Sequence, residues 1–397
     1  MGAEGAPSLC AVEPTSAATR RVRGWVRSAL AAETGRPVRP SAEGGTPLAP
    51  ADLLAAVLRQ RVVELVHEQA TPLGLSWELT EALGRVRAGG RSLVPLQLLE
   101  LSRIRGLLDE LGVDHLVFKG PALSVQTTGD LGARGFGDLD LLVAPGSVET
   151  VTSALLAHGW SVVEPLPPPG RWAWRRILHS AHEVGLVGPA CSVDLHWRLD
   201  PTLDGLPDFA ELWSRRELVD LGNGPVPTLG RGDALSHACL NAAKDEWRWL
   251  RNLVDVHRLA RLDGVWESFP PRRLQLQALA LTELQVGLPD NVPGTVRDAV
   301  ASVRPRTRER LLAAAGHAQE GPVRTLHEAP GSATAQFLRY QVAASGSPRD
   351  VRRAVGALVL PARAVGSVDA RSAWTGVPVG LGRRVSGLAR RSAGRDR

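Results

Sequence analysis

The chain has 397 residues, 44% of them hydrophobic, which is enough for one large or two modest domains with sizeable cores. No run of about 18 apolar residues occurs, so no transmembrane helix is expected, and Cys10, Cys191 and Cys239 are too scattered for a disulfide framework or a zinc knuckle. The formal net charge of +6 is concentrated in arginines near both ends, such as Arg20, Arg21, Arg23, Arg390 and Arg391, which read as solvated tails before they read as a nucleic-acid surface.

Residues 1–50 are rich in Ala, Gly, Pro and Arg and read as a disordered extension. They lack the basic start and apolar stretch of a secretory signal, so a reducing cytoplasm is the expected compartment. From Ala51 the apolar spacing becomes helical through Leu53, Leu54, Val57, Leu58, Val62, Leu65 and Val66. A second helix is predicted over 77–86, ahead of Gly89 and Gly90, and a third over 93–111, with Gly112 as its stop.

The texture then changes to α/β. Residues 115–118 read as a short buried strand, 121–127 as a helix with Pro121 in its first turn, and 129–137 as a glycine-rich loop. Strands are predicted over 139–143 and 160–164, with a helix over 147–158 between them. Two further strands, 182–187 and 192–199, flank Gly188-Pro189. After Asp200 the pattern is helical again, over 233–244, 247–262, 272–286 and 296–315, and beyond Gly331 it fades into Ala, Gly, Ser and Arg. The expected organisation is a disordered extension (1–50), N-terminal helices (51–112), an α+β core with a small mixed sheet (113–200), a helical C-terminal domain (201–330) and a basic tail (331–397).

Only two of the 47 basic residues, Lys119 and Lys244, are lysines. A chain that writes nearly every cation as Arg has reason to keep a compact ammonium where a planar fork does not fit. Lys119 precedes Gly120 and Pro121, and the glycine-rich loop leads into Asp138-Leu-Asp140-Leu-Leu-Val143. Carboxylates two apart on a strand share a face and can meet one divalent cation or bridge two. Phosphoryl-type transfer needs such a pair, because the protein's main task is to position phosphates and neutralise charge. Mg²⁺ suits carboxylate ligands, with Mn²⁺ as the alternative ion. A third acid, Asp194, sits in another apolar-flanked stretch, where it would act as a general base or hold a second metal. The alternative is that Asp194 pairs with Arg198 or Arg134.

Other residues carry two readings each. Arg134 would fork onto a phosphate, or pair with Asp130 or Asp138. His196 shares the strand face of Asp194 and would orient that acid, touch substrate, or simply pack. His179, His182 and His196 with Asp194 form a remote case for a transition metal, since their spacing matches no tight zinc pattern. In the helices, Lys244, Trp247, Trp249 and Asp255 would cap a nucleotide. The preferred alternative is interhelical packing, with Asp255 paired to an arginine or to Lys244.

Together, Val117-Phe-Lys-Gly120, Arg134 with Gly137-Asp-Leu-Asp-Leu-Leu-Val143, Asp194-Leu-His-Trp197 and the stretch 237–257 resemble the bacterial nucleotidyltransferase family proteins of the DNA polymerase beta-like superfamily. The resemblance spans roughly residues 50–320. It implies a small mixed sheet with helices, metal-binding acids at Asp138 and Asp140, and the third acid at Asp194. The superfamily's Gly-Ser phosphate turn is replaced here by Lys119-Gly120, an element similar to that of abortive-infection toxin-type nucleotidyltransferases. With the readings of the residues themselves, this places Lys119, Gly120, Arg134 and Gly137 as the expected contacts of a nucleotide triphosphate, with His196, Lys244 and Asp255 as accessory residues. The acceptor is left open among protein, peptide, RNA and small molecule, and no membrane partner is expected. The competing readings are a catalytically weak nucleotide-binding or partner protein, and a tailoring enzyme for a peptide or small-molecule natural product.

Overall fold

A computed structural model of the protein describes residues 14–37, 47–202, 206–269, 271–321, 339–344 and 347–359. Helices α1 (Ser16–Ala32), α2 (Pro50–Gln60), α3 (Val63–Glu68) and α4 (Trp77–Glu110) come first. Strand β1 (His115–Phe118), α5 (Gly120–Thr128) and β2 (Asp138–Val143) follow, then α6 (Val148–Ala157), β3 (Ser161–Val162), α7 (Trp172–Ser180), β4 (Glu183–Val187) and β5 (Ser192–His196). After α8 (Phe209–Ser214), β6 (Glu217–Asp220) and β7 (Pro225–Thr228) come α9 (Arg231–Lys244), α10 (Leu250–Ala260), α11 (Arg273–Gln285), α12 (Gly294–Ala301), α13 (Pro305–Glu320) and a helix near the end of the described residues, α14 (Pro348–Val359). The protein is thus α+β, with a mixed five-stranded sheet, a separate two-stranded sheet and helices toward both ends.

The chain forms two compact units, and neither is continuous in sequence. The helical unit draws on the described residues within Met1–Leu93, Thr127–Gly135 and Ala234–Thr325. Residues 16–32, expected within a disordered extension, form α1. Thr15 caps it by accepting from the Ala18 amide at 3.2 Å. Val22, Trp25, Val26, Ala29 and Leu30 line one face and are buried against α2 and α3. The Arg-rich composition concealed this stripe, because the arginines occupy the opposite positions of the same helix. The single helix expected from residue 51 is two, because Arg61 turns left-handed (φ +57°) and its amide bonds back to Leu58.

Helix α4 also differs from expectation. It runs unbroken through Gly89 and Gly90, where a break was predicted. Each glycine costs a helix only about 1 kcal/mol relative to Ala. Leu79 and Leu83 on one side, with Leu101, Ile104 and Leu108 on the other, are buried and hold both halves.

The sheet unit draws on the described residues within Val94–Gln126 and Phe136–Asp233 and on residues 339–344 and 347–359. Its strand order is β1-β2-β5-β4-β3, with β2 and β5 parallel and the other pairs antiparallel. Period-two alternation splits the sheet cleanly. Val117, Leu139, Leu141, Val193, Leu195 and Leu186 share one face and are fully buried. Phe118, Asp138, Asp140, Asp194, His196 and Glu183 share the other. Part of the expected basic tail belongs to this unit. Arg353 of α14 donates to the His179 carbonyl at 3.2 Å, and Tyr340 donates to Asp200. The rest of the expected tail, with residues 1–13 and 38–46 of the expected extension and Cys10, lies outside the described residues. The two units draw on several of the segments expected from the sequence, because α4 is one helix and residues 127–135 group with the helical unit. No helix among the described residues is long and apolar enough to cross a membrane.

Candidate functional site

The polar face of the sheet begins where β1 ends. Lys119 (φ +53°) and Gly120 (φ +37°) are successive left-handed residues that turn the chain from β1 into α5. A non-glycine residue in that region costs roughly 1–2 kcal/mol. For Lys119 the cost is offset by what the turn aims: its Nζ lies 2.8 Å from Oδ1 of Asp140. Phe118, one residue earlier, pairs in register with Asp140 across β1–β2, and its ring lies 5.3 Å from the ammonium. Gly120 is needed for its conformation. A side chain there would also contact the Asp138 carbonyl at 3.5 Å.

The three acids come from two adjacent parallel strands. Asp140 is the direct register partner of Asp194, and Asp138 that of Ser192. Asp138 is exposed at the start of β2, whereas Asp140 is buried two residues further on. Oδ1 of Asp140 also meets Nε2 of His196 at 3.1 Å. Burial alone would raise the Asp140 pKa, but the Lys119 charge and the His196 hydrogen bond hold it well below the usual carboxylate range. Burial would likewise lower Lys119, yet the Asp140 charge and hydrogen bond, with Glu183 and Asp138, hold it above the usual lysine value. Asp194 goes the other way. Burial first, then the negative charge of Glu183, push it up to about 6.

Beside the acids stands a second group. Glu183 opposes His196 in the β4–β5 register. Its Oε2 lies 3.2 Å from Nδ1 of His196 and 3.2 Å from Nε2 of His182. The His196 ring is almost fully buried and packs edge-on against Phe118 at 4.9 Å. Two sets of potential metal ligands therefore converge, each within 4.8 Å: Asp140, Asp194 and His196, and His182, Glu183 and His196.

The expected site residues fall into two sets. Lys119, Gly120, Asp138, Asp140, Asp194 and His196 gather on one sheet face, and the exposed Gly137 immediately precedes β2. Gly137 has open space where a Cβ would sit, so its backbone does not demand glycine. Arg134, Lys244 and Asp255 belong to the helical unit. There Arg134 and Asp255 form a two-pronged pair, with contacts of 2.9 to 3.1 Å and both side chains under a tenth exposed. The arginine partner preferred for Asp255 is thus Arg134. Asp130, considered as a partner of Arg134, bonds Arg91 at 2.9 Å. Trp247 is buried, and Trp249 carries the Arg61 guanidinium 4.2 Å over its ring. Arg198 donates to the carbonyls of Leu178, His179 and Ala181.

Glu183 was missed, and Phe118 was named only within the string Val117-Phe-Lys-Gly120, with no role at the site. The sequence marked the β4–β5 turn at Gly188-Pro189 but not its register; the Gly188 amide, donating to the Cys191 carbonyl at 2.9 Å, sets the register that puts Glu183 opposite His196 and Gly185 opposite Asp194.

The donor set fits a hard divalent cation. Asp140 and Asp194 offer carboxylate oxygens within 4.8 Å of each other and of a His196 nitrogen, Asp138 adds a carboxylate on the same strand face, and the raised Asp194 marks a place where negative charge is crowded. The family model described as "Uncharacterised nucleotidyltransferase" matches residues 46–288, more than half of the chain. That span contains every residue of the polar sheet face. Comparison with curated proteins finds no match.

Proposed function

The chain belongs to that nucleotidyltransferase family, and from this premise we propose that the polar sheet face carries Mg²⁺-dependent transfer of a nucleotidyl group from a nucleoside triphosphate to an acceptor. The observation that carries the reading is the register of Asp140 on Asp194, with Lys119 bound to the first and Asp138 exposed at the mouth of the same strand.

Asp138 and Asp140 would hold Mg²⁺, or Mn²⁺ in its place, and the bound ion would neutralise phosphate charge and orient the triphosphate. Lys119 and the N-terminus of α5, opened by Gly120, supply fixed positive potential for the phosphates. Gly137 lets the triphosphate approach the start of β2. Asp194 prepares the acceptor. As the acceptor oxygen or nitrogen bonds to the α-phosphorus, its proton passes to the Asp194 carboxylate and pyrophosphate leaves with the electrons of the broken P–O bond. A carboxyl held near 6 is a more effective base close to neutrality than one at the ordinary Asp value. His196 is a positioning residue that holds Asp140 through Nε2. Arg134 and Asp255 satisfy each other and are assigned to the helical scaffold, not to the chemistry.

The test is incubation of the chain with each labelled nucleoside triphosphate and Mg²⁺, following label into the chain itself, RNA, peptides and lysate protein. Transfer from at least one triphosphate is expected, and Asp138→Ala or Asp140→Ala should each abolish it in folded protein. Near-native turnover in either variant at saturating Mg²⁺ removes the metal assignment. A second reading, a nucleotide-binding protein with weak catalysis, is favoured by one feature: Asp140 Oδ1 already takes both Lys119 and His196. That reading requires triphosphate binding without transfer.

A further inference from the structure

We propose that His182, Glu183 and His196 form a second metal site, selective for a transition ion of the Zn²⁺ class and distinct from the oxygen-ligand site of Asp138 and Asp140. The proposal rests on the sheet geometry and not on the nucleotidyl-transfer reading.

The donor atoms are Nε2 of His182, Oε2 of Glu183 and Nδ1 of His196, all within 4.8 Å of one another. Two imidazoles and one carboxylate are a ligand set for Zn²⁺ and its neighbours, whereas Mg²⁺ prefers oxygen. The Glu183 oxygen stands 3.2 Å from each imidazole nitrogen. Tetrahedral ligands about 2.0–2.2 Å from Zn²⁺ stand roughly 3.3–3.5 Å apart, close to that spacing.

Nδ1 of His196 is buried, and its approach to Glu183 lacks hydrogen-bond geometry although the distance would allow one. A buried imidazole nitrogen left in that way ordinarily carries a penalty. The arrangement suits atoms aimed at a common point more than atoms bonded to each other.

The other nitrogen of His196 supplies an independent mark. Nε2 lies 3.1 Å from Asp140 Oδ1. A metal on Nδ1 places the proton on Nε2, which then donates to Asp140, and this carboxylate–histidine–metal relay is the usual support of a ligating imidazole. Packing fixes the ring, with Phe118 edge-on at 4.9 Å. Three protein ligands leave a fourth position for water or a substrate atom. Through His196 the site would share a hydrogen-bonded link with Asp140, so occupancy of one centre would be felt at the other.

The test uses the full chain, stripped with a chelator and titrated with Zn²⁺ in excess Mg²⁺, with heat and nitrogen NMR of ¹⁵N-labelled histidines as readouts. One equivalent should bind, and the ring signals of two of the ten histidines, His182 and His196, should shift, with His196 locked as the Nε2–H tautomer. Glu183→Gln and His182→Gln should each weaken Zn²⁺ binding tenfold or more in variants whose melting curves show folded protein, while Asp138→Asn leaves it unchanged. The proposal is overturned if no Zn²⁺ is retained, if the shifted histidines are others, or if both ligand variants bind as the parent does. The NMR arm needs no variant, so it decides the matter even where a substitution unfolds the chain.

Discussion

Asp140 and Asp194 stand side by side across the parallel pair β2–β5, yet their carboxyls are driven in opposite directions from the ordinary Asp value. Burial pushes both upward. At Asp140 it is overcome by the Lys119 ammonium 2.8 Å away and by His196. At Asp194 the charge of Glu183 adds to burial, and the group settles at about 6. One acid is thereby kept ionised while its neighbour exchanges a proton close to neutrality, a division of roles that acid–base catalysis exploits.

Asp194→Asn should keep triphosphate binding nearly intact while turnover falls by about 10²-fold or more, the usual scale for loss of a general base. The same group sets a pH dependence. Folding raises its pKa above the ordinary value of 3.8, so its contribution to stability is whole below that value and is lost as pH rises through about 6. The loss is on the order of 2–3 kcal/mol in metal-free buffer. Asp194→Asn should lack this decline, and Mg²⁺ should reverse it in the parent. Denaturant melts across the range, with and without Mg²⁺, read the effect directly. A flat parent profile would remove the electrostatic account.

Lys119→Arg should be harmful in a chain that otherwise prefers Arg. The left-handed turn beside Gly120 and the Phe118 ring leave room for a point charge on Asp140, not for a planar fork. Turnover should drop tenfold or more with a modest change in melting temperature. Lys119→Met should be worse for the fold, by about 3–5 kcal/mol, because it strips a buried carboxylate of its cation. Full activity in the Arg variant would make Lys119 a structural residue only.

The Arg134–Asp255 pair should behave as scaffold. Removing either partner leaves a buried charge, so Arg134→Ala and Asp255→Ala should each destabilise by about 3–5 kcal/mol. The double variant should cost clearly less than the sum. A stable Arg134→Ala protein with weakened triphosphate affinity would return Arg134 to the phosphate.

Gly89→Ala and Gly90→Ala should each stabilise the protein by up to about 1 kcal/mol, since both lie in the exposed interior of α4 and a new Cβ meets nothing within 4 Å. Were there a break between two helices at this point, the substitutions would be neutral or harmful, and a melting curve separates the two cases.

How far the site could be read in advance depended on whether the partners lay on one strand or on several. Asp138 and Asp140 announce a shared face by their spacing, and the Lys119-Gly120 pair announces a turn, because both signals are local. Asp194 and His196 could be placed on one strand face together by the same rule. Their neighbours were hidden. Glu183 looked like an ordinary acid at a strand start, and its place opposite His196 depends on the hairpin register. The Arg134–Asp255 contact joins residues 121 apart in sequence, and Arg134 had several carboxylates to choose from. Local composition also misled. The arginines of 16–32 obscured an apolar stripe, and Gly89-Gly90 imitated a helix end that the buried residues on either side override.

By itself, then, the sequence determined the class of fold, most of the helices and strands, and the chemical character of β2 and β5, since period and side-chain type act over a few residues. The tertiary structure decided which carboxylate is paired, which carries a raised pKa and which histidines meet Glu183. Those properties come from desolvation and charge at distances of about 3–5 Å, set only when strands from different parts of the chain take their register.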